Sequence, residues 1–280
     1  MKRRIVFVAC IATAALPLVA AACGSDENGS TFRAGSGDDG GATGDGGAGE
    51  GGSDDAGLIF GDANMKDVLS DGNCGPNLLG TLRDFHQAHP DFEKFLGDDR
   101  GIVKPDLGAD LKPVYASATT TATTTGKTNF DQWYRTIANV NVAIPFELKL
   151  VKGPNGISTF DDAAFFPLDG MGFGNEGNNH NFHFTYELHT EFIYTGGEVF
   201  TFVGDDDVFV FINNKLAIDL GGVHNAETKL INLDQAAATL GIQKTKTYPL
   251  AIFQAERHTT ESHFRVDTSI TFTNCVPIVP

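Results

Sequence analysis

Gly204-Asp205-Asp206-Asp207-Val208-Phe209-Val210-Phe211-Ile212-Asn213-Asn214 is the stretch that decides the architecture of this 280-residue chain. Residues 208–212 are apolar at every position. A strand of that kind needs cover on both faces, so it reads as a central strand. Asn213-Asn214 follows as a tight-turn signal, because Asn tolerates positive φ. Residues 216–220 then read as the returning hairpin partner. Outward from this hairpin the period is mostly two. Ile144, Phe146, Leu148 and Leu150 alternate with polar partners. Phe182, Phe184, Tyr186 and Leu188 alternate with His183, Thr185, Glu187 and His189. Residues 199–203, 247–254 and 264–272 complete the strand set. Short strands separated by turns predict an all-β chain, an antiparallel, jelly-roll-like β-sandwich with a few short helices. The helices are expected at 91–96, at 129–137 with Trp133 turned inward, and at 234–240 ended by Gly241. The Thr-rich residues 117–128 lack apolar periodicity and read as an exposed loop, or alternatively a stiff edge strand.

Composition agrees. Hydrophobic residues make up 41% of the chain, enough for a sizeable core, and Phe occurs 22 times against a single Trp. Phe-rich alternation suits strands that bury one face. The formal net charge is -16. Such a field repels phosphate backbones and argues against a nucleic-acid partner.

The N-terminus reads as an export signal. Lys2, Arg3 and Arg4 precede an apolar run that ends in Ala20-Ala21-Ala22, and Cys23 follows. The arrangement resembles a bacterial lipobox, which implies a signal peptide at 1–22 and lipidation of Cys23; plain secretion after cleavage is the alternative. Losing the three basic residues leaves 17 basic against 36 acidic residues, a net charge of -19. Gly, Asp, Ser and Ala dominate the following segment, which cannot bury enough surface to offset the entropy of ordering. Residues 23–63 are therefore expected to be an anchor and linker, and 64–280 the folded domain. Cys74 and Cys275 remain near its ends. In an oxidising compartment they would form a disulfide, which contributes about 4–5 kcal/mol in the chain-entropy model for so long a loop.

Asp205, Asp206 and Asp207 crowd three carboxylates at the start of a central strand. Repulsion there is relieved by a hard cation such as calcium, or by water if the turn is simply solvated. Both readings stand on charge alone. Polar clusters at 219–225, 255–263, 160–170 and 178–182 are further candidates for chemistry. The chain contains no HExxH, GxSxG, P-loop or dinucleotide fingerprint. No catalytic residue is singled out, although Asp161, Asp169 or Glu256 would be the carboxylates of a hydrolase.

Phe166-Pro167-Leu168-Asp169-Gly170, His180-Asn181-Phe182-His183-Phe184-Thr185, the acidic turn with its strand, Asp219-Leu220-Gly221-Gly222-Val223-His224 and Glu256-Arg257-His258 together resemble the fibro-slime domain family over roughly residues 79–273. That family looks like a relative of the β-sandwich domain first described in anthrax protective antigen, which also occurs in flocculation adhesins and some glycosidases. In the adhesin branch, two consecutive Asp residues joined by a cis peptide hold calcium, and the ion contacts sugar hydroxyls. The resemblance implies that Asp205 and Asp206 are that pair, with Asp207 one place beyond. It suggests His224, Asn225, Arg257 and His258 as the rim; hydrogen bonding that pins the loops accounts equally well for Arg257.

The combined expectation is an exported binding module without enzymatic turnover. It would sit on the bacterial outer membrane or cell surface, touching membrane only through its lipid anchor. Its partner would be a carbohydrate or matrix polymer, held with the aid of Ca2+. The alternatives are a surface-assembly domain in which calcium only stabilises, and a carbohydrate-active hydrolase.

Overall fold

The structure is a computed structural model and describes residues 77–274. The expected signal, Cys23, the linker, and the Cys74–Cys275 pair lie outside the described residues.

Two antiparallel sheets carry the fold. The larger contains β1 (Asn77–Phe85), β3 (Asn141–Lys149), β6 (Phe184–Tyr194), β8 (Asp207–Ile212), β9 (Lys215–Leu220), β12 (Lys246–Glu256) and β14 (Thr271–Asn274), in the order β3-β1-β6-β12-β8-β9. β1 and β14 share one edge of the long strand β6, at Phe184–Glu187 and Glu191–Ile193 respectively. The smaller sheet runs β11 (Glu227–Asn232), β7 (Val199–Gly204), β13 (Phe264–Thr268), β5 (Ser158–Asp162), β4 (Val151–Lys152). A separate pair joins β2 (Gly97–Asp98) to β10 (Gly222–Val223).

The alternation expected along β6 is the alternation observed. Phe184, Tyr186, Leu188, Phe192 and Tyr194 belong to the main core, with Phe200 and Phe202 of β7 and Phe264 and Val266 of β13. β8 is buried at all six positions. Val208, Val210 and Ile212 join that main core, whereas Phe209 and Phe211 turn the other way. There they meet Ile102, Trp133, Tyr134 and Phe253 in a second cluster. The strand is apolar on both sides because the 86–140 excursion covers the outer face of the large sheet.

The Asn213-Asn214 turn is as expected: both residues have positive φ, 52° and 60°, and Ile212 pairs directly with Lys215. Helix α2 (Leu233–Leu240) begins with Asn232 accepting from the Gln235 amide at 3.1 Å and ends at left-handed Gly241.

Four expectations are corrected. Residues 91–96 form turns, not a helix, because the Asp91 carboxylate instead accepts from Thr125 N at 2.6 Å and Trp133 Nε1 at 3.0 Å. The helix expected at 129–137 shrinks to α1 (Lys127–Phe130), followed by turns, with Trp133 inward as anticipated. The Thr-rich segment is folded against the domain, with Thr123 and Thr124 buried. Asp99 explains part of this, accepting from both Thr123 N and Thr123 Oγ1. Residues 264–272 make two strands, since the chain leaves the small sheet after Thr268 and enters the large one at Thr271.

Candidate functional site

The acidic turn crosses from β7 in the small sheet to β8 in the large one, at one end of the sandwich. Gly204 precedes it because a Cβ there would lie 2.6 Å from the His263 carbonyl oxygen. The peptide between Asp205 and Asp206 is cis. Asp205 is buried: its Oδ1 accepts from His263 N at 2.6 Å, and its carbonyl accepts from Gln254 Nε2 at 3.0 Å. Asp206 Oδ2 accepts from Arg257 N at 3.0 Å.

Asp207 faces elsewhere. Its Oδ2 accepts from Arg257 Nε at 2.6 Å and its Oδ1 from Gly222 N at 2.7 Å. Both side chains of the pair are fully buried. Arg257 also donates through Nη1 to the carbonyls of Asp91 (2.9 Å) and Thr123 (2.8 Å), and its guanidinium lies 4.6 Å from the Trp133 ring centroid. One expectation changes, and of the two readings left open for Arg257 the loop-pinning one is observed. Asp207 is the buried partner of Arg257, with each oxygen committed, and does not point with its neighbours. Arg257 is no part of a rim; it ties the excursion to the acidic turn from beneath.

The remaining expected residues do converge. Asp205, Asp206, His224, Asn225 and His258 line one cavity of about 320 Å³, with Leu96, Gly97, Val223, Thr260 and Glu261. Gly221-Gly222 shapes one wall: a Cβ on Gly222 would lie 2.4 Å from Gly97 O, so only glycine lets β2 lie this close. Glu93 steadies the loop opposite, accepting from Thr259 Oγ1 at 3.1 Å and sitting 2.8 Å from His183 Nε2. Beside the cavity, one ligand atom each of Asp98, His224 and Glu227 lies within 4.8 Å of the others. Arg100 already occupies that cluster, 2.6 Å from Glu227 Oε2 and 3.0 Å from His224 Nε2.

Charge is out of balance at the turn. Burial raises the carboxyl of Asp205 above its ordinary range and that of Asp206 well above it, although Arg257 draws Asp206 down. Glu256, at the end of β12, is also pushed well above its range, by burial first and then by Asp206 and Asp205. Ser262 and the His258 backbone oppose that shift, yet neither closes a hydrogen bond of normal geometry on Glu256. Asp205 Oδ2, Gln254 Oε1, both Glu256 oxygens, His258 Nδ1 and Ser262 Oγ are buried without a hydrogen-bond partner. They are six of the nine such side-chain atoms among the described residues. Buried polar atoms are normally paired, so this concentration marks one place where the fold leaves acceptors over. Oxygen-rich, acidic and partly open, the donor set fits a hard cation.

The other carboxylates considered for hydrolysis are engaged. Asp161 pairs with Arg265 at 2.8 Å and lies 3.3 Å from His263; Asp169 lies 2.7 Å from His180 Nδ1 and accepts from Asn181 N at 2.7 Å. Leu96, Gly97, Thr260 and Glu261 were not anticipated as lining residues. The paired glycines at 221–222 were the one available signal that another segment packs here.

The chain is 38% identical over 213 residues to protein psiD of Dictyostelium discoideum, covering 70% of this chain and 42% of that protein. It is 40% identical over 203 residues to psiR of the same organism, covering 66% of this chain and 20% of that protein. The chain thus spans less than half the length of either relative. A solved PA14 sugar-binding domain from an RTX adhesin aligns with 32% of this chain and 48% of its own at 11% identity, with a TM-score of 0.23. Residues 171–275, which include the acidic turn and most of the cavity wall, match the PA14 domain model.

Proposed function

We propose that this chain is an exported surface module that binds a carbohydrate through calcium held at Asp205 and Asp206. One observation carries the reading: the buried oxygens left without partners gather at this turn, including Asp205 Oδ2 beside the cavity. A divalent cation there would supply the positive charge that Arg257, committed to Asp207, does not. Bound calcium also supplies open coordination positions that sugar hydroxyls can fill. Asn225 and His258 stand where they can hydrogen-bond the same ligand, whereas His224, with Nδ1 2.9 Å from Asn225 O and Nε2 3.1 Å from Leu220 O, shapes the wall. The PA14 match, the resemblance to the adhesin branch and the fibro-slime motifs support this reading. Residues 1–23 support export with a lipid anchor at Cys23, a reading that fails if Cys23→Ser does not move the protein out of the detergent phase.

The test is thermal melting of the full chain in calcium and in chelator, for wild type and Asp206→Asn. Calcium is expected to raise the wild-type Tm and leave the variant nearly unmoved. Equal behaviour of the two proteins rejects the cation site. Sugar added to the calcium form should then tighten calcium binding, since linkage is reciprocal; no change favours a purely stabilising ion in a surface-assembly domain.

A further inference from the structure

A second cavity, of about 420 Å³, lies next to the first and shares Thr260 and Glu261 with it. Asn225 lines one and its neighbour Ala226 the other. His263, which lines the second cavity, donates its backbone N–H to Asp205 Oδ1 at 2.6 Å, so the loop that borders the second space is tied directly to the acidic turn. The two spaces are therefore consecutive along one edge of the sandwich.

The second cavity has its own furniture. Phe166 and His180 stack in parallel, with centroids 3.9 Å apart and planes 6° from each other, and Phe182 closes on Phe166 edge-on at 5.0 Å. Asp169 fixes the imidazole through Nδ1. The other ring nitrogen, Nε2, makes no hydrogen bond among the described residues and is free to meet a hydroxyl. Asn179 and His263 add further polar groups to the wall. Neither cavity is lined by Lys or Arg, so an anionic ligand finds no side-chain cation in either. A flat ring pair with hydrogen-bonding groups at its edge suits a pyranose, which has an apolar face and a hydroxylated perimeter.

We infer that the second cavity is a subsite for the next unit of a neutral oligosaccharide, with Phe166 and His180 as its platform and Thr260-Glu261 as the sill between the units. This rests on the cation site proposed above for the first unit. It makes the ligand an oligosaccharide, not a single terminal sugar, and it assigns specificity to a segment, 166–182, whose residues are not among the hydrogen-bond partners of Asp205 and Asp206, which are Gln254, Arg257 and His263.

The experiment is a printed array of neutral hexoses and N-acetylhexosamines with their di- and trisaccharides, read in calcium with the full chain and with His180→Ala. The best disaccharide should be held about tenfold more tightly than its own monosaccharide, a factor in the range of one aromatic contact. His180→Ala should remove that gain and leave monosaccharide binding unchanged, which also shows that the variant is folded. Equal retention of mono- and disaccharides by wild type, or a disaccharide advantage that survives His180→Ala, overturns the subsite and leaves the cation site standing. Loss of both signals equally in the variant overturns it too. Retention of no glycan by wild type rejects carbohydrate binding itself, and the subsite with it.

Discussion

Arg257 Nε donates to Asp207 Oδ2 at 2.6 Å in an ion pair with no exposure on either side chain. Removing one partner leaves the other as an uncompensated buried charge, which costs about 3–5 kcal/mol. Arg257→Gln and Asp207→Asn should each lower stability to that extent in urea titrations, and should do so in chelator as well as in calcium. This separates Asp207 from Asp206, whose Asn variant is expected to lose mainly the calcium response. A calcium-specific defect in Asp207→Asn would return it to the ligand set.

Glu187 holds a second buried network on the outer face of the large sheet. Arg83 Nη1 lies 2.7 Å from its Oε2, His189 Nε2 lies 2.6 Å from its Oε1, and Lys112 reaches the same oxygen. Burial opposes ionisation, but His189, Arg83 and Lys112 outweigh it and hold the carboxyl down at about 2, below its ordinary 4.5. A depressed carboxyl contributes stability above its unfolded-state value, and that contribution is lost as pH falls from about 4.5 toward 2. Glu187→Gln should therefore destabilise by about 3–5 kcal/mol at pH 7. The gap from wild type should narrow at pH 3 and nearly close at pH 2. A gap independent of pH would mean that shape, not charge, sets the cost.

Gly222 combines φ of 123° with a virtual Cβ 2.4 Å from Gly97 O. Gly222→Ala meets backbone on the other side, which cannot rotate away, so both strain and displacement are expected. A loss of about 1–3 kcal/mol is anticipated from denaturant unfolding. Because β2 and β10 form one wall of the first cavity, the calcium-driven rise in Tm should shrink as well. An unchanged rise would detach that wall from the cation site.

Strands were readable wherever burial is one-sided or complete. The alternation along β6 and the continuous run in β8 each map onto a sheet face, and Asn213-Asn214 onto the turn between strands. β1 escaped because its inward positions, Leu78, Gly80 and Leu82, are interrupted by a glycine. Gly80 is there because the ring and hydroxyl of Tyr186 occupy the space its Cβ would take, 2.6 Å away. The acidic turn could be picked out from its charge, and three of the four residues suggested with it, His224, Asn225 and His258, come together with it around one cavity. The separate fate of Asp207 follows from strand alternation: it shares a face with Phe209 and Phe211, beneath the excursion, where a carboxylate must find a partner inside the protein. What could not be read was the excursion itself. Asp91, Glu93, Asp99 and Thr123 lie in turns without periodicity, and they reach the site through long-range hydrogen bonds and through the packing of Ile102, Trp133 and Tyr134 on Phe209, Phe211 and Phe253.

Glu256 provides the sharpest remaining contrast. It is wholly buried at the end of β12, on the same face as Gln254, and both its oxygens lack partners. Burial, Asp206 and Asp205 all disfavour its charge. Glutamine has nearly the same shape and carries no charge to desolvate, so Glu256→Gln should leave the chelated protein at least as stable as wild type. In calcium the order should reverse, because the variant withholds a negative charge from the field that attracts the ion. Melting curves that cross in this way, with the variant higher in chelator and lower in calcium, would tie Glu256 to the cation through electrostatics. A variant less stable in both conditions would show instead that Glu256 makes a contact the fold itself requires.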